Sequence, residues 1–472
     1  MEFILVSLIL LPLAGFSVAL ILPSDYKWQR INFIFFTLLS LAAAIYSFKF
    51  DGLDKFHDII NIPWLSVMQV NFRLGIDYIS LSLVLTTTFI FVGSAVAGVG
   101  KENIKINTAL MLLLEAFLIG VFLASDVLLF YIFWELVMLP VIGLFFINIK
   151  DQYRAIYFYL YTIAGSLVMF LGIVYIYFYY GDLASGGGYV DWLEVRALNN
   201  NLIWALFAIA FAIKAPLFPF HGWQAGAYQA APTFLTVILA TLLSKMGWYG
   251  FYRYSHKLLG EGGEFWQGSI LFLSVVGVIY GAMMAWQSKN IKSLFAYSSL
   301  SHLNMMIYGI FSDSEVALAG SIFFAIQHSL IMAGIFWIIQ FLEGRKGINL
   351  TNNFNGLFKV APVLAGFFIF LSLANIGLPG LSGFVGEFTI LSGNFKFYPG
   401  LTVVATGGVI LAALYQLKII QRLFFGEVSL INERINYKLG YEMIAILAII
   451  IIAVIIMGIY PSFLFDLFKE IV

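Results

Sequence analysis

Seven ionisable side chains occur inside long apolar segments, well away from the ends of those segments: Glu115, Glu135, Lys214, Lys245, His302, His328 and Glu387. At the centre of a bilayer, a charged side chain costs about 2.5–3.5 kcal/mol on insertion scales. Such a load would have no use in a passive anchor. Carboxylates, amines and imidazoles all bind and release protons, so together they predict a chain of protonatable sites across a membrane, with water in the gaps.

Lys214 stands just before two prolines, Pro216 and Pro219, in the stretch FAIKAPLFPFHGW at 211–223. Proline has no N–H to donate and breaks a helix, and the backbone groups that it frees recruit water. A nearby carboxylate favours the charged form of an ammonium group. We therefore expect Glu135 to control the charge of Lys214, with the ammonium moving between this carboxylate and a hydrated path.

The other buried groups differ in how strongly they indicate proton transfer. Lys245 is about ten residues, or roughly 15 Å, from either end of its segment, which is too far for its ammonium to reach the surface. Glu135 could instead be permanently protonated. The two histidines could be structural residues whose ring nitrogens are hydrogen-bonded within the helix bundle. Glu115 fits a structural role as well as a functional one, while Lys418, near Arg422 and a helix end, is expected to snorkel.

The composition is that of an integral membrane protein. Of the 472 residues, 62% are hydrophobic and only 11% are charged, and the mean hydropathy is +0.96. Lys+Arg and Asp+Glu both number 25, so no charge surplus indicates nucleic acid as a partner. Without cysteine, the chain holds no disulfide, thiolate metal site or cysteine-ligated iron–sulfur cluster.

We expect an all-α polytopic protein whose segments each suffice to cross about 30 Å of hydrocarbon. The chain offers fourteen such windows, near 3–22, 30–48, 78–98, 107–124, 126–148, 155–180, 201–220, 230–253, 266–286, 290–311, 316–342, 360–393, 401–425 and 441–461. The first, which lacks the basic start of a signal peptide, is expected to be a membrane helix. Ser125 and Asp126 are expected to form a helix N-cap at a tight turn.

Two of the predicted helices contain breaks, the seventh at its prolines and the twelfth in the stretch ANIGLPGLSGFVGEF. Each broken helix is the fourth of a block of five, helices 4–8 and 9–13. An odd number of helices inverts the second block, which is the plan of inverted-repeat transporters. The chain is thus divided into 1–106 (helices 1–3), 107–255 (first repeat), 266–425 (second repeat) and 426–472 (helix 14 and tail).

The loops orient this arrangement. Odd-numbered loops carry 14 Lys and Arg residues and the opposite side carries eight, so the positive-inside bias places both termini outside. The loop at 181–200 contains three consecutive glycines. No Lys-Ser/Thr pair follows at a helix start, so we expect a flexible outer loop and not a phosphate site.

Three other functions fit part of these observations. A haem b could be ligated by His302 and His328, but it would leave the buried lysines and glutamates unexplained, and an optical spectrum would reveal it. A self-contained secondary transporter would move its solute unaided in liposomes. A passive anchor should tolerate neutralisation of the buried charges.

Five motifs fall in order along the chain: FWELVMLP, FAIKAPLFPFHGWQAGAYQAAPT, LLSKMGWYGFYRY, SLFAYSSLSHLNMM and LPGLSGFVGEF. Because of these motifs, the chain resembles the antiporter-like subunits of respiratory complex I and the related multisubunit sodium/proton antiporters. The resemblance extends from about Leu74 to about Arg422. The glutamate in the twelfth helix, Glu387, resembles the M-type subunit of complex I. The L-type and N-type subunits and most antiporter relatives usually carry lysine there.

The resemblance implies proton translocation driven by quinone reduction elsewhere in the complex. In that family the helix-5 glutamate pairs with the helix-7 lysine, and protons pass a helix-8 lysine and histidines to the helix-12 residue. The matching residues here are Glu135, Lys214, Lys245, His302, His328 and Glu387, with Glu115 and Lys418 as possible additions.

The resemblance also implies where the rest of the system lies. Flavin, iron–sulfur clusters and quinone are expected on partner subunits, so this chain serves a quinone oxidoreductase without a redox site of its own. L-type and N-type subunits, small membrane subunits and the lipid bilayer are its expected partners, in a prokaryotic inner (plasma) membrane. NADH, ferredoxin or deazaflavin as donor, and proton or sodium as the ion, remain open. The alternative is a subunit of a multisubunit sodium/proton antiporter or of a membrane-bound hydrogenase-like complex.

Overall fold

The computed structural model describes residues 2–50, 52–65, 70–149, 152–180, 201–258, 260–346, 355–428 and 436–469. In this part of the chain, eleven helices are long and apolar enough to cross a membrane. The chain is therefore a polytopic helical membrane protein, as predicted. The glycine-rich stretch 181–200, for which a flexible loop is predicted, lies outside the described residues.

The elements follow one another along the chain as stated here. The first are α1 (Glu2–Ile21), α2 (Tyr26–Ser47), β1 (His57–Leu65), β2 (Val70–Ile76), α3 (Tyr78–Ala97), α4 (Ile104–Leu123), α5 (Val127–Leu136), α6 (Met138–Asn148) and α7 (Tyr153–Tyr180). Next come α8 (Asn201–Lys214), α9 (Gln224–Ala230), α10 (Thr233–Ile238), a π-helix (Leu239–Leu243), α11 (Ser244–Gly250), a second π-helix (Phe251–Leu258) and α12 (Gly260–Gln287). The last are α13 (Ile291–Ile310), α14 (Glu315–Lys346), α15 (Leu357–Val360), α16 (Pro362–Ile376), α17 (Ser382–Phe395), α18 (Pro399–Phe424), α19 (Tyr441–Ile459) and α20 (Ser462–Phe468).

A β-hairpin interrupts the otherwise helical fold and corrects the all-α expectation. Strands β1 and β2 pair antiparallel between α2 and α3. In β2, Leu74, Gly75 and Ile76 are all buried, so the apolar stretch that marks the strand is only a few residues long. Windows of about 20 apolar residues cannot detect so short a signal.

Both predicted helix breaks are confirmed. Helix α8 ends at Lys214, and α9 begins only at Gln224. The second break lies between α16 and α17, where Gly377 and Gly380 have φ angles of 82° and 90°. These left-handed conformations favour glycine and end the helix.

The fifth predicted helix is one segment in the sequence but two helices in the structure. Pro140 has no N–H to donate to the Leu136 carbonyl, so the helical hydrogen bonding lapses between α5 and α6. The interruption comes directly after Glu135 and Leu136. A proline five residues after the glutamate was the signal for it.

The eighth predicted helix is also irregular, because π-helical turns lie on either side of α11, the short helix that carries Lys245. Such turns are rare and are found frequently at functional sites. Nothing in the apolar pattern of 233–258 indicates them.

The predicted N-cap at the start of α5 is confirmed for Asp126. Its carboxylate accepts hydrogen bonds from the backbone N–H groups of Leu128 and Leu129, at 2.8 and 3.0 Å. Ser125 contributes differently, since its backbone N–H donates to the carbonyl of Arg73 at 3.2 Å. This contact ties the hairpin to the α4–α5 turn.

Arg253 and Lys292 were both included in the count of loop Lys and Arg residues given above, but the structure buries them. Arg253 lies in the second π-helix, and its guanidinium is 2.6 Å from the carboxylate of Asp77, which caps α3. Lys292 Nζ is 3.2 Å from Glu343. Each cation is retained in the interior because a carboxylate neutralises it.

Replacement of Asp77 by Asn is expected to lower stability by about 3–5 kcal/mol, because it leaves the Arg253 guanidinium charged, buried and unpaired. Asparagine still caps a helix, so the loss reports the charge and not the cap. Thermal unfolding of the purified protein in detergent measures it. The control is Asp58→Asn in the more exposed pair with Arg73, for which about 0–1 kcal/mol is expected. Equal effects of the two variants would contradict the prediction.

Candidate functional site: a buried line of ionisable side chains

Lys214 packs against the helix interruption that follows Glu135. It is the last residue of α8 and is 1% exposed. Its Nζ donates a hydrogen bond to the Met138 sulfur at 2.9 Å and lies 5.1 Å from the centre of the Trp134 ring. The ammonium is thus held by a soft acceptor and an aromatic face, both weaker partners than a carboxylate.

Glu135 lies near Lys214 but is not bonded to it. Its carboxylate acts electrostatically on the ammonium, yet among the described residues no ion pair within 4.0 Å joins the two. One buried carboxylate oxygen of Glu135 has no hydrogen-bond partner there. The geometry is therefore that of an open pair, with the lysine turned toward Met138.

Lys245 is fully buried and bonded to a histidine of another helix. Its Nζ lies 2.8 Å from Nδ1 of His328 in α14 and 3.4 Å from the Ala240 carbonyl in the preceding π-helix. A charged lysine can only donate, so Nδ1 then accepts and the His328 proton belongs on Nε2. A proton that leaves Lys245 has an acceptor in direct contact.

Two further residues continue this line across α13 and α17. The His302 and His328 rings meet edge to face, with centroids 5.2 Å apart and planes at 89°. On its other side, His302 Nε2 lies 3.6 Å from Glu387 Oε1. A shift of a few tenths of an ångström would make this contact a hydrogen bond. Lys245, His328, His302 and Glu387 thus form a continuous set over four helices, which we call the central line.

The perpendicular contact between the two histidines also decides against the haem interpretation. Axial imidazoles lie on opposite faces of a porphyrin, which needs open space between the rings. Here the two rings touch edge to face, which leaves no room for a porphyrin between them.

Gly377 in the second helix break makes room for the end of the central line. A Cβ atom at this position would lie 2.5 Å from Oε2 of Glu387, closer than atoms pack. The break therefore does two things, because it ends α16 and lets the carboxylate approach the freed backbone. Glu387 itself is 4% exposed.

Asn304 is a site residue that sequence reasoning missed. It lies on α13 two residues after His302. Its amide oxygen accepts from the Phe218 N–H and its amide nitrogen donates to the Pro216 carbonyl, both at 3.2 Å. Asn304 thus satisfies backbone groups freed by the first break. A buried asparagine in SHLNMM was the only signal.

The remaining candidates lie apart from the central line. Lys418 is exposed, and its Nζ donates to the Trp286 carbonyl at 3.3 Å, as expected for a snorkelling lysine. Glu115 is fully buried, and neither of its carboxylate oxygens has a hydrogen-bond partner among the described residues. Among the described residues, no direct contact joins the Lys214 and Lys245 side chains. Proton transfer between these two lysines would therefore need bridging water.

Comparison with known proteins identifies the family of this chain. The family described as NADH:quinone oxidoreductase/Mrp antiporter, TM matches residues 124–414. NADH-quinone oxidoreductase subunit M of Rickettsia bellii is 35% identical over 446 residues, covering 92% of this chain and 89% of the relative.

Solved structures agree as well. A chain of respiratory complex I from Thermus thermophilus with bound NADH superposes with a TM-score of 0.87 at 30% identity, covering 98% of both chains. A chain of the Mrp complex from Dietzia sp. DQ12-45-1b shares the fold, with a TM-score of 0.84 at 20% identity over 100% of this chain and 97% of that one. The family match spans more than half of the chain and includes Glu135, Lys214 and the whole central line, and this chain accordingly belongs to the NADH:quinone oxidoreductase/Mrp antiporter membrane family.

Proposed function

We propose that this chain is the M-type antiporter-like subunit of a complex I type quinone oxidoreductase, and that it translocates protons through its buried ionisable residues. The observation that carries the proposal is the contact sequence from Lys245 through His328 and His302 to Glu387. Each member can take and give up a proton, and each lies beside the next. The energy comes from quinone reduction in other subunits.

In this mechanism the pair of Glu135 and Lys214 controls loading of the line. When the carboxylate approaches, it favours a charged Lys214; when the two are apart, as in the open geometry described above, the ammonium is poorly stabilised. A proton released from Lys214 travels through water to Lys245 and then along the central line to Glu387.

We further propose fourteen membrane spans with two inverted repeats of five. Besides the eleven long helices, Ile291–Ile310 and the two broken helices, with halves Asn201–Lys214 and Pro362–Ile376, supply the remaining spans. Each broken helix is the fourth of its repeat. The loop charges favour both termini outside, and bacterial relatives favour a prokaryotic plasma membrane.

The partners in this proposal are membrane subunits of the same complex, including the L-type and N-type subunits and the small membrane subunits. Two structural neighbours are chains of complexes named respiratory complex I and Mrp complex. Flavin, iron–sulfur clusters and quinone belong to partner chains, since this chain has no cysteine to ligate a cluster. A second candidate, a subunit of a sodium/proton antiporter, is favoured by the fold shared with the Mrp chain. Glu387, where most such relatives carry lysine, favours the first.

Lys245→Ala is expected to slow coupled turnover strongly, because it removes the group that passes a proton to His328. Lys245→Arg should also fail, since arginine hardly releases its proton. The measurement is protons translocated per quinone reduced by the assembled complex in proteoliposomes. Lys27→Ala, at an exposed lysine, serves as the control and should pump normally. Full pumping with Lys245→Ala would overturn the proposed function; full pumping with arginine alone would reduce Lys245 to an electrostatic role.

A further inference from the structure

A narrow pocket lies beside Glu387 and His302. It is lined by Ser301, His302 and Met305 of α13, by Glu387, and by Gly408 and Val409 of α18 among others. The absence of a side chain at Gly408 keeps α18 close to α12. The pocket adjoins the carboxylate at the seam between α13 and α18, and it is too narrow to hold a water molecule in this geometry.

One helical turn beyond Met305, two hydroxyl groups bridge this seam. The phenol oxygen of Tyr308 lies 2.8 Å from Oγ1 of Thr402, and both residues are almost fully buried. Either oxygen can donate to the other, and the Thr402 hydroxyl can also donate to the Tyr398 carbonyl at 2.9 Å. Such hydroxyls accept one proton while releasing another.

Tyr398 continues from this pair to the surface. Its phenol interacts electrostatically with that of Tyr308 and donates a hydrogen bond to the carboxylate of Asp313. Burial and this hydrogen bond raise the pKa of Tyr398, which lies between α17 and α18, so its hydroxyl keeps a proton at rest. Gln267 fixes the other Asp313 oxygen with a hydrogen bond of 2.9 Å.

Asp313 lies on the wall of an open, acidic pocket of about 320 Å³ at this face of the molecule. Glu264 and Glu315 line the same pocket, and the hydroxyl of Ser255, 1% exposed, has no hydrogen-bond partner among the described residues. Buried polar groups of this kind are normally satisfied by water. The polar groups thus extend from Tyr308, one helical turn beyond the pocket beside Glu387, to a negatively charged mouth.

We propose that Tyr308, Thr402, Tyr398 and Asp313 form the outward proton-exit route from Glu387. The proposal rests on the proposed function and adds the residues by which the proton leaves. Protonated Glu387 gives its proton to a water molecule that enters the adjoining pocket when the pocket widens, and each hydroxyl then accepts one proton and releases its own. Asp313 takes the last proton and yields it to the acidic mouth, so no group along the route gains net charge after a full passage.

The test compares variants that differ only in the hydroxyl. Thr402→Val keeps the shape and removes the relay oxygen, and Thr402→Ser restores it; Tyr308→Phe removes the partner hydroxyl. Protons translocated per quinone reduced are measured with the assembled complex in proteoliposomes, with Glu387→Gln in parallel. Tyr161→Phe, on α7 away from the route, makes the same change as Tyr308→Phe and should leave the ratio unchanged. Assembly is checked on native gels.

The expected result is a loss of pumping for Thr402→Val and Tyr308→Phe as large as that for Glu387→Gln, with recovery in Thr402→Ser. A merely structural role for Thr402 would not separate serine from valine in assembled complex. Normal pumping by Thr402→Val and Tyr308→Phe, with pumping lost in Glu387→Gln, would overturn the exit route and leave the proposed function standing. Normal pumping by Glu387→Gln would overturn the proposed function itself.

Discussion

Glu387→Gln is expected to block proton pumping by this subunit and to slow the quinone reduction coupled to it. Glutamine has the size of glutamate, but its neutral amide neither carries a negative charge nor binds a proton. A glutamate carboxylate is negative when it has no proton and neutral when it has bound one. The empty carboxylate attracts a proton arriving through His302, 3.6 Å away, and loading removes that attraction. Without this alternation the central line has no terminal acceptor.

Glu387→Lys is the informative companion to this variant. Lysine can also be loaded and emptied, although it is positive when loaded, whereas the carboxyl group is neutral. Some pumping is therefore expected to survive, provided that His302 tolerates a cation. Proton translocation in proteoliposomes and the quinone reductase rate, measured after native gels have verified assembly, give the answer. Unchanged pumping with glutamine would leave Glu387 as a polar group satisfied beside a broken helix.

Glu135→Gln should largely abolish pumping while the complex still assembles. The change is nearly isosteric and removes the negative charge of Glu135, which favours a protonated Lys214. The structure adds a reason for a large effect: without the carboxylate, Lys214 retains only the Met138 sulfur and the Trp134 ring as partners. Neither of these holds a charged ammonium as a carboxylate does.

The aspartate variant tests whether a negative charge at position 135 is sufficient for pumping. Glu135→Asp keeps the charge on a shorter side chain and is expected to retain partial pumping. Protons translocated per electron, in complex of verified assembly, are the quantity to compare. A glutamine variant that pumps at nearly the wild-type ratio would show that Lys214 is loaded without Glu135.

The ionisable residues were predictable because a charge within an apolar segment is a local property of the sequence. Pro216 and the glycines around 377–383 predicted the helix breaks for the same reason, because the effect of these residues on the backbone is local. The contact of Lys245 with His328, 83 residues later in the chain, was not predictable from spacing. It depends on how α11 and α14 pack and on a π-helical turn that leaves no mark in the apolar pattern.

The roles of two other residues were not predictable from the sequence either, because they too depend on contacts between distant parts of the chain. Arg253 resembled a loop residue because it stands near the end of an apolar window, and only the fold reveals Asp77 opposite it. Asn304 looked like one polar residue among several in α13. Its role exists only because α13 passes the broken end of α8, so that its amide meets the backbone of Pro216 and Phe218.

The π-helix at Leu239–Leu243 has a consequence for how this chain tolerates insertions and deletions. A π turn holds one residue more than an α turn. Because its hydrogen bonds run from residue i to i+5, the wide turn absorbs this extra residue and leaves α10 and α11 in nearly the phase of a continuous α-helix. Loss of a single residue within 239–243 would therefore restore regular α-helix and still leave Lys245 facing His328. Loss of a residue from α10, where no wide turn absorbs it, would instead turn α11 by about 100° relative to the start of α10, the rotation per residue of an α-helix.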